Sequence, residues 1–380
     1  MNGGRIVVKV GSSTLTDASG RIDRGFVADL TAQLAAEHRQ GRDILLVTSG
    51  AIRAGREALA AQLPGPHSSS DTLPFKQAAA AIGQGRLIHT YTEAFAWRGV
   101  VCAQVLLTRD DLAARDRFLN ARNTLLALLD LRVIPVVNEN DTVAVDEIKF
   151  GDNDMLAALV ASLVDADTLL ILSDVEGLYE APPEPGKPVP RVVPLVECVT
   201  PALRASAGGA GSIAGTGGMR TKLEAARTAT EAGIRTVIAR GRRENVVADT
   251  VRGESVGTCF LPAAGGRPGA RKRWIAHGPR PRGQVVVNAG ARQALLATGV
   301  SLLAAGVTRV SGSFTAGDLV EVCSEQGETF GRGLTNYAAS ELQTIAGLRS
   351  DQFTEALGYR GADEVIHRDN LVTGTTWSPE

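Results

Sequence analysis

Lysine is what this chain has least of among its charged residues. Of 40 basic side chains in 380 residues only 6 are Lys, at positions 9, 76, 149, 187, 222 and 272, and the other 34 are Arg. Those 40 cations face 41 acidic residues, a net charge of −1. Bulk attraction to nucleic acid or an anionic membrane needs a large positive excess, so both are excluded as general partners. Long apolar runs are also missing. Stretches such as Leu125–Leu129 and Leu169–Leu172 fall far short of the roughly 20 residues that cross a bilayer. Residues 1–5 lead straight into β-type residues without the apolar segment of a secretory signal, so a cytoplasmic protein is expected. The 4 cysteines (Cys102, Cys198, Cys259, Cys323) form no C-x-x-C pair and are expected as buried apolar thiols. The 5 histidines form no H-E-x-x-H pair, which argues against a transition-metal site built on His or Cys.

What is present is a soluble globular composition, 44% hydrophobic and 21% charged, with length for two or three domains. Residues 5–10 (R-I-V-V-K-V) read as a strand ending at Gly11-Ser12-Ser13, and Asp23 as the N-cap of a helix that runs to Gly41. The pattern repeats: strands at 43–47, 100–106, 132–137, 168–172 and 236–239, with helices at 78–95, 118–129, 155–163 and 218–232. Such alternation predicts βαβ crossovers, hence a three-layer αβα sandwich around a mostly parallel sheet. Pro, Gly and charge crowd residues 262–273, placing a linker at 262–275 between a catalytic domain at 1–261 and a small β-rich domain at 276–380 with little helix. Residues 64–74, rich in Pro and Ser, read as a surface loop.

Ligands of parallel sheets bind beyond the carboxyl ends of the strands, so the loops there are the candidate site. Lys9-Val10-Gly11-Ser12-Ser13 offers an ammonium and backbone that an anion can approach. Thr48-Ser49-Gly50 joins a strand to a helix N-terminus, a position for a carboxylate or phosphate or simply a capped helix. Two polar clusters, Asn138-Glu139-Asn140-Asp141 and Gly151-Asp152-Asn153-Asp154, together gather four carboxylates and three carboxamides. They suit an ammonium group, water-mediated Mg2+ or the orientation of lysines. A glycine-rich run from Gly208 to Gly218 enters a helix through Met219-Arg220-Thr221-Lys222, the parts of a phosphate cradle, although no Walker A sequence occurs. Where a cation is Arg about six times in seven, Lys in both glycine-rich loops is informative. A compact ammonium sits between phosphate oxygens, and the planar guanidinium does not fit the same space. Two such lysines flanking a phosphoryl group would supply the electrostatic part of its transfer.

The blocks at 7–13, 47–57, 106–111, 117–124, 137–143, 150–154 and 215–222 together resemble the bacterial glutamate 5-kinases, enzymes of proline biosynthesis with the amino acid kinase fold. The blocks at 299–307 and 367–372 resemble the PUA domain appended to many members. The resemblance implies ATP- and Mg2+-dependent phosphorylation of the γ-carboxylate of L-glutamate. By the same resemblance Lys9, Lys222 and Asp154 are catalytic. Lys9, Gly11, Ser173, Asp174 and the run Thr216, Gly217, Gly218, Met219, Arg220, Thr221 and Lys222 bind the nucleotide. Ser49, Asp141, Asp152 and Asn153 bind glutamate. A homo-oligomer and proline as feedback inhibitor are further implications. Another amino acid kinase, such as acetylglutamate kinase, is the competing function, and RNA binding through the PUA-like tail a minor one. From residue 276 onward 8 Arg and no Lys face 11 acidic residues, a net −3 that is ill suited to phosphate backbones.

Overall fold

The computed structural model describes residues 4–374 apart from 18, 63–69, 145–151, 185, 207–217, 264–269 and 278–280. The chain divides into two compact units, Met1–Arg267 and Pro268–Glu380. In the first, the elements run β1 (Arg5–Val10), α1 (Ser12–Leu15), α2 (Arg24–Arg39), β2 (Asp43–Val47), α3 (Ala51–Gln62), α4 (Leu73–Ala96), β3 (Cys102–Leu107), α5 (Arg109–Ala113), α6 (Arg115–Asp130) and β4 (Ile134–Glu139). They continue α7 (Asp152–Leu163), β5 (Thr168–Ser173), β6 (Leu195–Val196), α8 (Pro201–Ser206), α9 (Met219–Glu231), β7 (Arg235–Arg240), α10 (Val246–Arg252) and β8 (Gly257–Phe260). Eight strands form one sheet in the order β3-β4-β2-β1-β5-β7-β8-β6. All neighbours are parallel except β7 and β8.

The side-chain period of two on β1 divides the core. Ile6, Val8 and Val10 pack with Phe26, Val27, Leu30 and Leu34 of α2 on one face. Val7 packs with Ala157, Val160 and Ala161 of α7 and Leu223 and Ala226 of α9 on the other. Lys9 has the parity of Val7, so its side chain rises toward α7 and α9. Helix α2 starts where expected, the Asp23 carboxylate accepting from Phe26 N at 3.0 Å. Helices α3 and α4 approach backbone to backbone. A Cβ on Gly55 would lie 1.8 Å from the Ala79 carbonyl oxygen, and one on Gly83 1.8 Å from that of Ala51. Nothing larger than glycine fits at either crossing.

Several expectations are corrected. Helix α4 begins at Leu73, inside the expected loop, because Pro74 occupies its first turn, where a missing N–H costs nothing; residues 64–69 of that loop lie outside the described residues. Strands β6 and β8 and helix α10, too short to show a period, extend the sheet and its cover beyond the six strands expected. Residues 270–275 of the expected linker are helical. Helix α11 (Ala270–His277) buries Trp274 and Ile275, an apolar pair hidden in the sequence behind Arg271-Lys272-Arg273. The second unit continues β9 (Gly283–Val287), α12 (Ala289–Thr298), β10 (Val307–Gly312), β11 (Leu319–Ser324), β12 (Thr329–Leu334), α13 (Ala339–Ile345), α14 (Phe353–Leu357) and β13 (Leu371–Thr373). Its sheet order is β10-β9-β11-β12-β13. It holds more helix than expected, since α12 buries only Leu295 and so carries no apolar stripe to read. Of the four free cysteines only Cys323 is buried, and Cys198, just beyond the two-residue β6 at the edge of the sheet, is exposed. Among the described residues no helix is long and apolar enough to cross a membrane.

Candidate active site

Strand β1 lies between β2 and β5, with Lys9 beside Val47 on one flank and Ile171 on the other. From β1 the chain steps to β2 on one side, whereas β5 and β7 lie on the other, so β1 is a topological switch point, where the loops part and leave a crevice. The expected residues gather around that crevice. Lys9 and Gly11 end β1, Ser49 follows β2, Asp141 follows β4, Ser173 and Asp174 end β5, and Asp152–Asp154 and Met219–Lys222 open α7 and α9.

The centre is a buried ion cluster. The Lys9 Nζ is 2.5 Å from Asp154 Oδ1 and the Lys222 Nζ is 3.5 Å from Asp154 Oδ2. The Thr221 hydroxyl also donates to Oδ2, at 2.9 Å. Asp154 is fully buried, Lys9 is 5% exposed and Lys222 7%. Burial drives the Lys9 ammonium below its usual range, the Asp154 carboxylate opposes that shift, and the neighbouring Lys222 charge adds to it. At Asp154 burial alone would raise the pKa, but the two ammonium groups outweigh it and hold the carboxyl below its ordinary value. Counting Lys9, Lys222 and Asp154 alone, the buried cluster holds two cations and one anion. A positive charge out of water is costly, and an anion beside it offsets that cost.

Around the cluster the backbone is open. A Cβ on Gly11 would stand 3.3 Å from the Lys9 Nζ, so a side chain there would crowd the ammonium. Gly218 caps α9, and among the described residues nothing lies within 4 Å of where its Cβ would be, so the start of that helix is a place an anion can approach. The buried Ser173 hydroxyl donates to Asp174 Oδ1 at 3.1 Å, while Asp174 itself is exposed. Met219 and Thr221 are half-buried and Arg220 is exposed. Thr216 and Gly217 lie outside the described residues, as do Gly151 and the residues before it back to 145. On the other flank Ser49 precedes Gly50, whose φ of 104° only glycine adopts freely, and Asp141 is half-buried in the turn after β4. Asp152 is the first residue of α7. The Asn153 Oδ1 is buried and, among the described residues, has no hydrogen-bond partner. A buried acceptor in that state is suited to a donor brought by a ligand.

The hydroxyl of Thr221, a residue the resemblance assigns to the nucleotide, lies 2.9 Å from both Asp154 Oδ2 and the Gly218 carbonyl oxygen. Sequence reasoning missed Tyr91 and Gln84 altogether. Tyr91 is fully buried in α4 with its hydroxyl 3.0 Å from the Thr48 Oγ1 at the end of β2. One polar ring in an otherwise apolar helix stripe was the sole signal.

The family model described as the amino acid kinase family matches residues 4–240, and the PUA domain model matches residues 283–357. The chain belongs to the amino acid kinase family. Among curated relatives it is 50% identical over 370 residues to "Glutamate 5-kinase" of Pelobacter propionicus, covering 97% of both chains. It is 49% identical over 371 residues to "Glutamate 5-kinase" of Trichlorobacter lovleyi, covering 98% of this chain and 97% of that one. The protein of the same name from Geobacter sulfurreducens is 48% identical over 368 residues, with 97% of both chains covered. Within the family the chain thus stands among the glutamate 5-kinases with a C-terminal PUA domain.

Proposed function

We propose that this chain transfers the γ-phosphoryl group of ATP to the γ-carboxylate of L-glutamate, giving L-glutamyl 5-phosphate, the first step of proline biosynthesis. The observation that carries the reading is the buried Lys9–Asp154–Lys222 cluster at the switch point, two ammonium groups held by one carboxylate. The nucleotide occupies the β5 and α9 flank, against Gly11, Ser173, Asp174 and the segment from Thr216 to Lys222. Glutamate occupies the β2 and β4 flank, against Ser49, Asp141, Asp152 and Asn153. Lys9, between them, contacts the group in transit.

The glutamate carboxylate is ionised at pH 7, so it attacks without an enzymic base. One of its oxygens bonds to the γ-phosphorus as the bond to the β–γ bridging oxygen breaks, and that electron pair leaves with ADP. Lys9 and Lys222 offset the charge spread over the transferring oxygens, and Asp154 holds both ammonium groups in place. Among the described residues no three His, Cys, Asp or Glu side chains converge as a metal site. Mg2+ in phosphoryl-transfer sites is held by one or two carboxylates plus the substrate phosphates. Asp174, exposed at the end of β5, would supply such a carboxylate, and the ion would neutralise phosphate charge. The reading also carries a cytoplasmic homo-oligomer inhibited by proline, open to sedimentation and to proline titration.

A coupled ADP-release assay with L-glutamate, acetylglutamate and aspartate tests the function. Turnover that depends on glutamate is expected. Its absence, or stronger turnover with acetylglutamate, sinks the reading.

A further inference from the structure

Helix α4 carries three polar side chains seven residues apart, Gln77, Gln84 and Tyr91. In an α-helix a seven-residue step drifts only about 20°, so all three project along one line. Each ends on a different segment of the crevice. The Gln77 Nε2 donates to the Ala144 carbonyl at 3.2 Å, in the loop that follows Asp141. The Gln84 Oε1 accepts from the Asn138 Nδ2 at 2.7 Å, near the end of β4. The Tyr91 hydroxyl meets the Thr48 Oγ1 at 3.0 Å, one residue before Ser49. Asn138 and Thr48 are 1% and 0% exposed, and each passes the constraint into the backbone. The Asn138 Oδ1 accepts from Glu139 N at 2.9 Å, and Thr48 N donates to the Val137 carbonyl at 2.9 Å.

We infer that Gln84 and Tyr91, assisted by Gln77, are positioning residues for the phosphoryl acceptor. They fix the β2 and β4 loops, which carry Ser49 and Asp141, to one unbroken helix of 24 residues. That helix is itself rigid, because its backbone rests on α3 at Gly55 and Gly83 and Leu87 and Phe95 are fully buried beneath it. None of the three hydrogen bonds reaches β5 or α9, where the nucleotide segments lie. The row therefore acts on one substrate and not on the other. This inference rests on the proposed division of the crevice between acceptor and nucleotide. The bland alternative is that the three bonds merely satisfy buried polar groups, which would cost stability on removal and leave the two substrates equally affected.

The test is a KM split. Gln84→Leu leaves the Asn138 Nδ2 buried without its acceptor, Tyr91→Phe keeps the ring and removes the hydroxyl, and Gln84→Glu keeps an acceptor in place. Loss of one such bond should raise KM for glutamate about fivefold or more. KM for ATP should stay within about twofold in both removal variants, and Gln84→Glu within about twofold of wild type for both substrates. Should Gln84→Leu fail to fold, Tyr91→Phe and Gln84→Glu carry the test. An unmoved KM for glutamate, or both KM values rising together, overturns the inference. Glutamate-dependent ADP release by the wild type is measured first. If it is absent the proposed function fails, and the same split is then read with whichever of acetylglutamate or aspartate supports turnover.

Discussion

Asp154→Asn isolates the charge at the centre of the site. Asparagine keeps the shape and one oxygen for the Thr221 hydroxyl, so what disappears is the negative charge between Lys9, 2.5 Å away, and Lys222, 3.5 Å away. At an effective dielectric constant near 20 those two attractions amount to about 7 and about 5 kcal/mol before desolvation. Most of that is offset by the cost of burying three charges, and removing one partner of a buried pair costs about 3 to 5 kcal/mol net. For a unit of this size each kcal/mol shifts Tm by about 2 to 4 °C, so a fall of about 10 °C is expected in scanning fluorimetry. A non-hydrolysable ATP analogue should close much of the gap, because its phosphates supply the missing anion. Lys9, already held below its usual range by burial, would lose its proton more easily, and kcat should fall at least about tenfold. The Asp154 pKa is depressed in the folded protein, so its contribution is present above the ordinary value of 3.8 and disappears as the pH falls through the folded value. The Tm difference between wild type and variant should therefore vanish in acid. A Tm within about 2 °C of wild type at pH 7, together with near-normal kcat, would refute the role.

Three further outcomes follow from the same geometry. Lys222→Arg should lower kcat at least about tenfold, since a planar fork replaces a compact ammonium; near-normal turnover in a single-turnover assay removes that requirement. The kcat/KM profile for ATP should show an alkaline limb below pH 10.5, because a lysine whose folded pKa is lowered loses its charge early as pH rises. In Lys9→Arg that limb should move upward, and an unchanged limb assigns it elsewhere. Gly83→Ala places a methyl 1.8 Å from the Ala51 carbonyl oxygen and must push α3 from α4. It should cost about 3 kcal/mol or more, read as a Tm loss by circular dichroism, and an unchanged Tm would show that the crossing yields.

The strands under the site were legible because each is a short apolar run closed by a polar or small residue. β2 was read to the residue, and β5 and β7 to within one at each end. Helix α4 was read five residues short because Pro74 looks like loop punctuation and is in fact compatible with a helix's first turn. Helices α12, α13 and α14 of the second unit were missed because they bury one or two residues each, below what periodicity can register. In the site, Lys9 and Lys222 could be singled out by rarity alone. Their convergence on Asp154 could not, since it depends on strand parity placing Lys9 on the α7 and α9 face and on two helices starting side by side. Tyr91 and Gln84 stayed invisible for the same reason, as polar residues whose partners belong to strands elsewhere in the chain.

The distribution of the two cations carries the argument beyond composition. Among the described residues no arginine is buried, although 34 of the 40 basic residues are arginine. The buried basic residues are Lys9 and Lys222, whereas Lys76 is half-buried and Lys187 and Lys272 are exposed. Where a Lys or Arg side chain is buried among the described residues it is lysine, whose proton can be given up, and not arginine, whose proton cannot. A guanidinium stays charged under any burial, and a lysine at the same place can lower its pKa when no anion is present. Lys9 is in that condition, its pKa lowered by burial and by Lys222 and sustained by Asp154. Burial and the Lys222 charge weaken the hold of Lys9 on its proton and Asp154 strengthens it, so a further anion beside Lys9 would strengthen it again. Substituting arginine for both lysines would fix two charges around one carboxylate with no such release, so the cost would fall on the empty enzyme rather than on the loaded one.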